Sequence, residues 1–214
     1  MMIFDYSQVK DHKLYRFVMP PLWVLSRIVY ETECYGRENV PSEGKLIIAC
    51  NHVAFSDPAL IVANCPRTVH YMAKSELFEN PAYSLLFRNM NAFPVKRCSS
   101  DRKALRYAIE VLEKGWVLGI FPEGRRIGAD RAPTDARTGI GYIARISGAD
   151  VLPCCIYKQN RLIRSKATVR FGKVIRNSEL GFEGKDKSYE MKRASEKIMN
   201  EIKALWEEER CRLK

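Results

Sequence analysis

The sequence predicts an α/β fold, a mixed β-sheet flanked by helices, with an interfacial helix near its N-terminus. Two observations carry the sheet-and-helix expectation. From residue 45 onward, apolar runs of strand length alternate with segments whose apolar residues recur at helical spacing. Strands interleaved with helices favour layered α/β architecture over separate all-α and all-β parts. The composition agrees: 46% hydrophobic and 29% charged residues in a chain of 214 exclude disordered and collagen-like classes and leave enough apolar surface for a core. With no internal repeat and no long linker, the expected organisation is an N-terminal amphipathic membrane-associating segment over residues 1–34 and one domain over residues 35–214.

The first element is the run FVMPPLWVLSRIVY from Phe17 to Tyr30, ten of whose fourteen residues are apolar, preceded by Lys10, Lys13 and Arg16. Pro20 and Pro21 suit a helix start, which places Leu22, Leu25, Ile28 and Val29 on one face. Such a helix reads either as a core element or as one lying at a membrane interface, with its aromatic and basic residues at headgroup level. No run reaches eighteen apolar residues, so no spanning helix is expected. Asp5, Asp11 and the lack of a small-residue cleavage site argue against a cleaved signal peptide.

Strands follow at Leu46–Cys50, Val69–Ala73, Ala92–Val95, Val117–Phe121, Val151–Tyr157 and Thr168–Phe171. Helices are expected at Pro58–Asn64, Pro81–Asn89, Asp101–Lys114, Ala136–Ser147 and Ser188–Arg210. Ser99 or Ser100 can cap the helix at Asp101, whose stripe is Ala104, Leu105, Ala108, Ile109 and Leu112, and Gly115 ends it. The last helix presents Met191, Ala194, Ile198, Ile202 and Leu205.

Thirty-six Lys and Arg against 25 Asp and Glu give a net charge of +11, which points to an anionic partner. The seven cysteines are odd in number and never spaced C-x-x-C, so neither a disulfide scaffold nor a zinc framework is expected, and a reducing compartment is.

Four segments can carry chemistry. Asn51-His52-Val53-Ala54-Phe55-Ser56-Asp57-Pro58 follows the apolar run LIIAC. A loop that folds back can bring the Asp57 carboxylate to His52 Nδ1–H, leaving Nε2 to take a proton. Asp57 before Pro58 also reads as a plain N-cap, and the two roles are compatible. Phe93 to Arg97 ends a strand on Lys96 and Arg97, with Arg102, Lys103 and Arg106 beyond, a setting suited to phosphate. Gly119 to Arg126 ends another strand in Pro122-Glu123-Gly124, where glycine admits a close ligand and Arg125 and Arg126 can grip a phosphate. Val151 to Ile156 is an apolar strand with a proline in it, read alone as core.

In this order and spacing the four resemble the motifs of the PlsC-type glycerolipid acyltransferase family. Asn51, His52 and Asp57 match its N-H-x-x-x-x-D motif. Phe121, Pro122, Glu123, Gly124 and Arg126 match its F-P-E-G-[ST]-R motif, with Arg125 where the family usually carries a small hydroxyl residue. The resemblance covers roughly residues 35 to 157. It implies transfer of a fatty acyl group from acyl-CoA or acyl carrier protein to the free hydroxyl of a lyso-glycerophospholipid such as 1-acyl-glycerol 3-phosphate, at the cytoplasmic face of an anionic membrane, by a peripheral or monotopic enzyme. His52 would act as general base with Asp57 fixing its tautomer. Lys96, Arg97 and Arg126 would hold the phosphate, with Glu123 and Gly124 shaping that pocket. The chemistry requires no metal and no cofactor beyond the thioester co-substrate.

Other acceptors fit the same chemistry: glycerol 3-phosphate, a lyso-phospholipid or a lyso-aminolipid. A rival reading is a nucleic-acid-binding module, resting on Lys158 to Arg176, where seven basic residues and no acidic one occur in nineteen positions. Stacking aromatics are sparse there, so a surface for anionic lipid or an acidic carrier is the better expectation and nucleic acid is not an expected partner. Ser56 could serve as an acyl-enzyme nucleophile, but it is equally placed to cap the following helix.

Overall fold

The computed structural model describes residues 4–6, 9–10, 14–96, 101–128, 131–159, 166–184 and 186–213. The elements in chain order are α1 Leu14–Val29, β1 Glu31–Tyr35, β2 Leu46–Cys50, α2 Asp57–Asn64, β3 Val69–Lys74, α3 Pro81–Asn89, β4 Ala92–Val95, α4 Arg102–Glu113, β5 Val117–Ile120, α5 Gly139–Ser147, β6 Asp150–Lys158, β7 Lys166–Phe171 and α6 Lys187–Arg212. The strands form one mixed sheet in the order β1-β7-β6-β2-β5-β3-β4. β2 to β6 run parallel, β7 returns antiparallel to β6, and β1 pairs parallel with β7.

Both faces of this sheet are covered, which is why its strands read as continuous apolar runs. Side chains alternate along β2: Ile47 and Ala49 pack under α4, α5 and α6, while Leu46, Ile48 and Cys50 pack under α2. The α5–α6 crossing is close because residue 141 is glycine; a Cβ there would lie 2.0 Å from the Met191 carbonyl oxygen. Pro153 sits inside β6 without breaking it. Its missing N–H falls between the Val151–Ile175 bridge and the Cys154–Phe171 start of the β7 ladder.

Several expectations are corrected. α1 begins at Leu14, so Pro20 and Pro21 lie inside the helix rather than at its start. That position removes backbone donors, a cost tolerated where the freed carbonyls face water. The helix has an exposed side, with Phe17 76% and Ile28 62% exposed, while its Tyr15 belongs to the core. β1 is an additional strand, so the sheet takes in residues 31–34; the outward Glu31 and Glu33 mark it as a charged edge. Two helix stripes are shifted. α4 buries Tyr107 and Val111 beside Ala104, Ala108 and Leu112, while Leu105 and Ile109 are only half-buried. α6 buries Met199 and Trp206 in place of Met191 and Leu205. Asp101 caps α4, accepting from the Ala104 amide at 3.1 Å, and Ser99 and Ser100 lie outside the described residues.

Candidate active site

The parallel strands β2, β5 and β6 end at one edge of the sheet, the edge where open α/β sheets place their ligands. The residues that follow β2 are shaped first by Asn51. Its side chain is fully buried and clips the neighbouring strand, donating to the Ile156 carbonyl at 2.9 Å and accepting from the Ile156 amide at 2.8 Å. An amide side chain thereby satisfies backbone groups that the ended strand no longer reaches.

The loop then folds back as the motif requires. Asp57 is 0% exposed, and its Oδ2 accepts from His52 Nδ1 at 2.9 Å, from the Val53 amide at 2.6 Å and from the Ala54 amide at 2.7 Å. Asp57 therefore does not cap its helix. It occupies the first turn of α2, the N-cap is Ser56, and neither side chain bonds the helix's own amides. With Nδ1–H given to Asp57, Nε2 carries the lone pair. The imidazole, its side chain 10% exposed, stacks on Phe121 with centroids 4.1 Å apart, which fixes the ring plane.

Both backbone groups of His52 are held by the turn after β5. The His52 amide donates to Glu123 Oε2 at 2.9 Å, and the Ile127 amide donates to the His52 carbonyl at 2.9 Å. Glu123 Oε1 accepts from the Thr134 amide at 2.8 Å. The buried Glu123 thus braces three backbone segments around the histidine rather than orienting an arginine or a substrate hydroxyl. Gly124 adopts a positive φ of 67°, and a Cβ there would lie 2.8 Å from Arg137 Nε, so the glycine opens room for that guanidinium.

Arg125 and Arg126 are exposed on this turn. Lys96 follows β4 directly and has an exposed side chain, its amide donating to Asp101 Oδ2 at 3.1 Å. Arg97 lies outside the described residues. The structure thus joins His52, Asp57, Glu123 and Gly124 in one cluster and leaves Lys96 and Arg126 as exposed cations.

Two participants escape the sequence reading. Lys158, the last residue of β6, is buried and donates to Asp57 Oδ1 at 3.1 Å and to Ser56 Oγ at 3.0 Å. Ser56 Oγ in turn donates to the Tyr30 hydroxyl at 3.2 Å, so Ser56 is a link in a network rather than a poised nucleophile. A lysine closing the seven-residue strand run Val151–Tyr157 was the available sign. In the rest of the basic run, Arg170 pairs with Glu208 and Glu209 and Arg176 with Asp150, Lys166 and Lys173 are exposed, and Arg161 and Arg164 lie outside the described residues. Among the described residues, no cluster of His, Cys, Asp and Glu could hold a metal ion, and Cys34, Cys50, Cys65, Cys154, Cys155 and Cys211 are free thiols.

Residues 31–157 match the Acyltransferase family model, an interval that holds the His52–Asp57 loop and the Glu123 turn. The chain is 31% identical over 141 residues to the 1-acyl-sn-glycerol-3-phosphate acyltransferase of Bacillus subtilis (strain 168), covering 65% of this chain and 69% of that one. It is 33% identical over 130 residues to the protein of the same name from Borreliella burgdorferi, covering 58% of this chain and 50% of that one. The crystal structure of the 1-acyl-sn-glycerophosphate acyltransferase PlsC from Thermotoga maritima superposes with a TM-score of 0.68 at 22% identity, covering 95% of this chain and 84% of that one, and shares the fold. Matched over more than half its length and on the segments that build the site, the chain belongs to the Acyltransferase family.

Proposed function

We propose that the protein transfers a fatty acyl group from an acyl thioester, on coenzyme A or an acyl carrier protein, to the free hydroxyl of 1-acyl-glycerol 3-phosphate, making phosphatidic acid for phospholipid synthesis. The observation that carries this reading is the His52–Asp57 pair, with Nε2 unclaimed beside an exposed arginine-bearing turn. The relatives' names supply the acceptor. His52 Nε2 takes the hydroxyl proton as the oxygen attacks the thioester carbonyl, and Asp57 steadies the imidazolium. The tetrahedral intermediate then expels the thiolate, which receives that proton, leaving an ester and a thiol. The Val53 and Ala54 amides are occupied by Asp57, so the oxyanion must be stabilised by other donors.

An acceptor screen with purified protein tests the assignment. Acyl transfer to 1-acyl-glycerol 3-phosphate is expected to exceed transfer to a phosphate-free lyso-lipid by at least about tenfold, the worth of one charge-assisted contact. Equal rates on both would replace this acceptor with the lyso-aminolipid reading.

The same reading places the protein on the cytoplasmic face of an anionic membrane. Among the described residues, no helix is long and apolar enough to cross a bilayer. α1 exposes Phe17, Trp23, Val24, Leu25 and Ile28, the Arg27 guanidinium lies 4.4 Å from the Trp23 ring centroid, and Phe55 is exposed on the catalytic loop itself. An apolar helix face with a cation at its aromatic ring suits the headgroup boundary. Vesicle flotation should show the wild-type chain bound to anionic liposomes at low salt and weakened by high salt, and Trp23→Glu combined with Leu25→Glu should release it. A double variant that floats like the wild type would remove α1 from the membrane contact.

A further inference from the structure

Lys158 has a side chain only 2% exposed, and an ammonium so enclosed requires a partner. It finds Asp57 Oδ1 at 3.1 Å and Ser56 Oγ at 3.0 Å, and Nζ lies 4.6 Å from the Tyr30 ring centroid. The two carboxylate oxygens of Asp57 are thereby divided. Oδ2 serves His52 and two loop amides, and Oδ1 serves the lysine.

We propose that Lys158 is a positioning residue of the acyl-transfer site: through Asp57 it fixes the orientation of His52 and offsets the pull of the carboxylate on the imidazolium proton. This inference rests on the reading of His52 as the general base. A carboxylate beside an imidazole favours the protonated ring, and a cation on its far oxygen weakens that preference. The imidazolium formed during attack is then held less tightly by the carboxylate and gives its proton more readily to the departing thiolate.

The other groups around the dyad leave this role to Lys158. Glu123 faces it from the turn after β5 and is engaged by the His52 and Thr134 amides. Cys50 sits at the end of β2, where burial pushes its thiol well up, so it remains protonated. Tyr30 contributes its ring face and hydroxyl from the α1–β1 junction. Arg125 and Arg126 are exposed on the turn after β5, where solvent screens them. Among the described residues, Lys158 is the cation buried against Asp57.

The test compares wild type, Lys158→Gln and Lys158→Met. Lys158→Gln retains a donor for Asp57 Oδ1 and Ser56 while removing the charge, and it serves where Lys158→Met does not fold. Two readouts are taken: the pH titration of the His52 ring by NMR, one of three histidines in the chain, and the pH profile of kcat/KM. Removing the cation should move the acid limb of the profile, and with it the His52 ring resonances, to higher pH. Below the limb, kcat/KM should then fall by about three- to tenfold, with KM for the acyl thioester nearly unchanged. An unmoved titration in a Lys158→Gln protein of native Tm would overturn the proposal and leave Lys158 a structural ion-pair partner. A titration that moves in a protein whose wild type transfers no acyl group would uphold the lysine's hold on His52 and sink the proposed function instead.

Discussion

His52→Ala is expected to lower kcat for acyl transfer by 10²–10⁴-fold or more, the contribution general-base catalysis typically makes, without unfolding the protein. The fold should survive because Asp57 stays satisfied: Val53, Ala54 and Lys158 still donate to it when the imidazole is gone. The substitution also keeps the backbone bonds from His52 to Glu123 and from Ile127 to His52, which belong to the main chain. Truncation at residue 57 is a less clean experiment. Asp57→Ala would strand the Lys158 ammonium in a dry site, at a cost of about 3–5 kcal/mol, so lost activity there would mix chemistry with stability. Steady-state kinetics with a thermal melt on His52→Ala therefore isolates the base. A variant with near-normal kcat would exclude His52 from proton transfer.

The His52–Asp57 pair was legible because one loop carries both residues. A short segment between a strand and a helix can reach itself, and the spacing states which groups will meet. The parallel core was legible for a related reason: strands buried on both faces, such as LIIAC and VLPCCI, have no polar side to mislead a reader. What stayed hidden depends on contacts between distant segments. Lys158 reads as the start of a basic surface run until the β2–β6 pairing brings the end of β6 to the His52 loop. Glu123 reads as a pocket acid until the fold sets one of its oxygens on the His52 amide and the other on that of Thr134.

Backbone energetics account for two further differences. Two adjacent prolines argue for a helix start when propensity is taken alone. On an exposed helix the carbonyls they leave unpaired can be hydrated, so α1 runs through them. Asp57 before Pro58 argues for a cap, yet a carboxylate offered two loop amides, an imidazole and an ammonium forms those bonds in preference to one helix amide. In both cases the local rule holds as chemistry and is outweighed by a larger set of partners.

Loss of both exposed arginines after β5 should cost the most among the binding residues. If Arg125 and Arg126 grip the acceptor's phosphate, each charge-assisted contact is worth about 1.5–3 kcal/mol, or roughly ten- to over a hundredfold in binding. Arg126→Ala should then raise KM for 1-acyl-glycerol 3-phosphate far more than KM for the acyl thioester. Arg126→Lys should recover only part of the loss, since an ammonium keeps the charge but not the planar fork. The structure makes this a binding test rather than a folding test, because both side chains are exposed and the turn is held by the Glu123 carboxylate and the Gly124–Phe121 backbone bond. Arg125 stands where the family usually has a small hydroxyl residue, and its exposure beside Arg126 allows it to share the phosphate. The Arg125→Ala/Arg126→Ala double variant should therefore lose more than either single variant on the phosphate-bearing acceptor and little on a phosphate-free lyso-lipid. Equal losses on both acceptors would show that these arginines serve the turn and not the phosphate, and would pass headgroup recognition to Lys96 and Arg97.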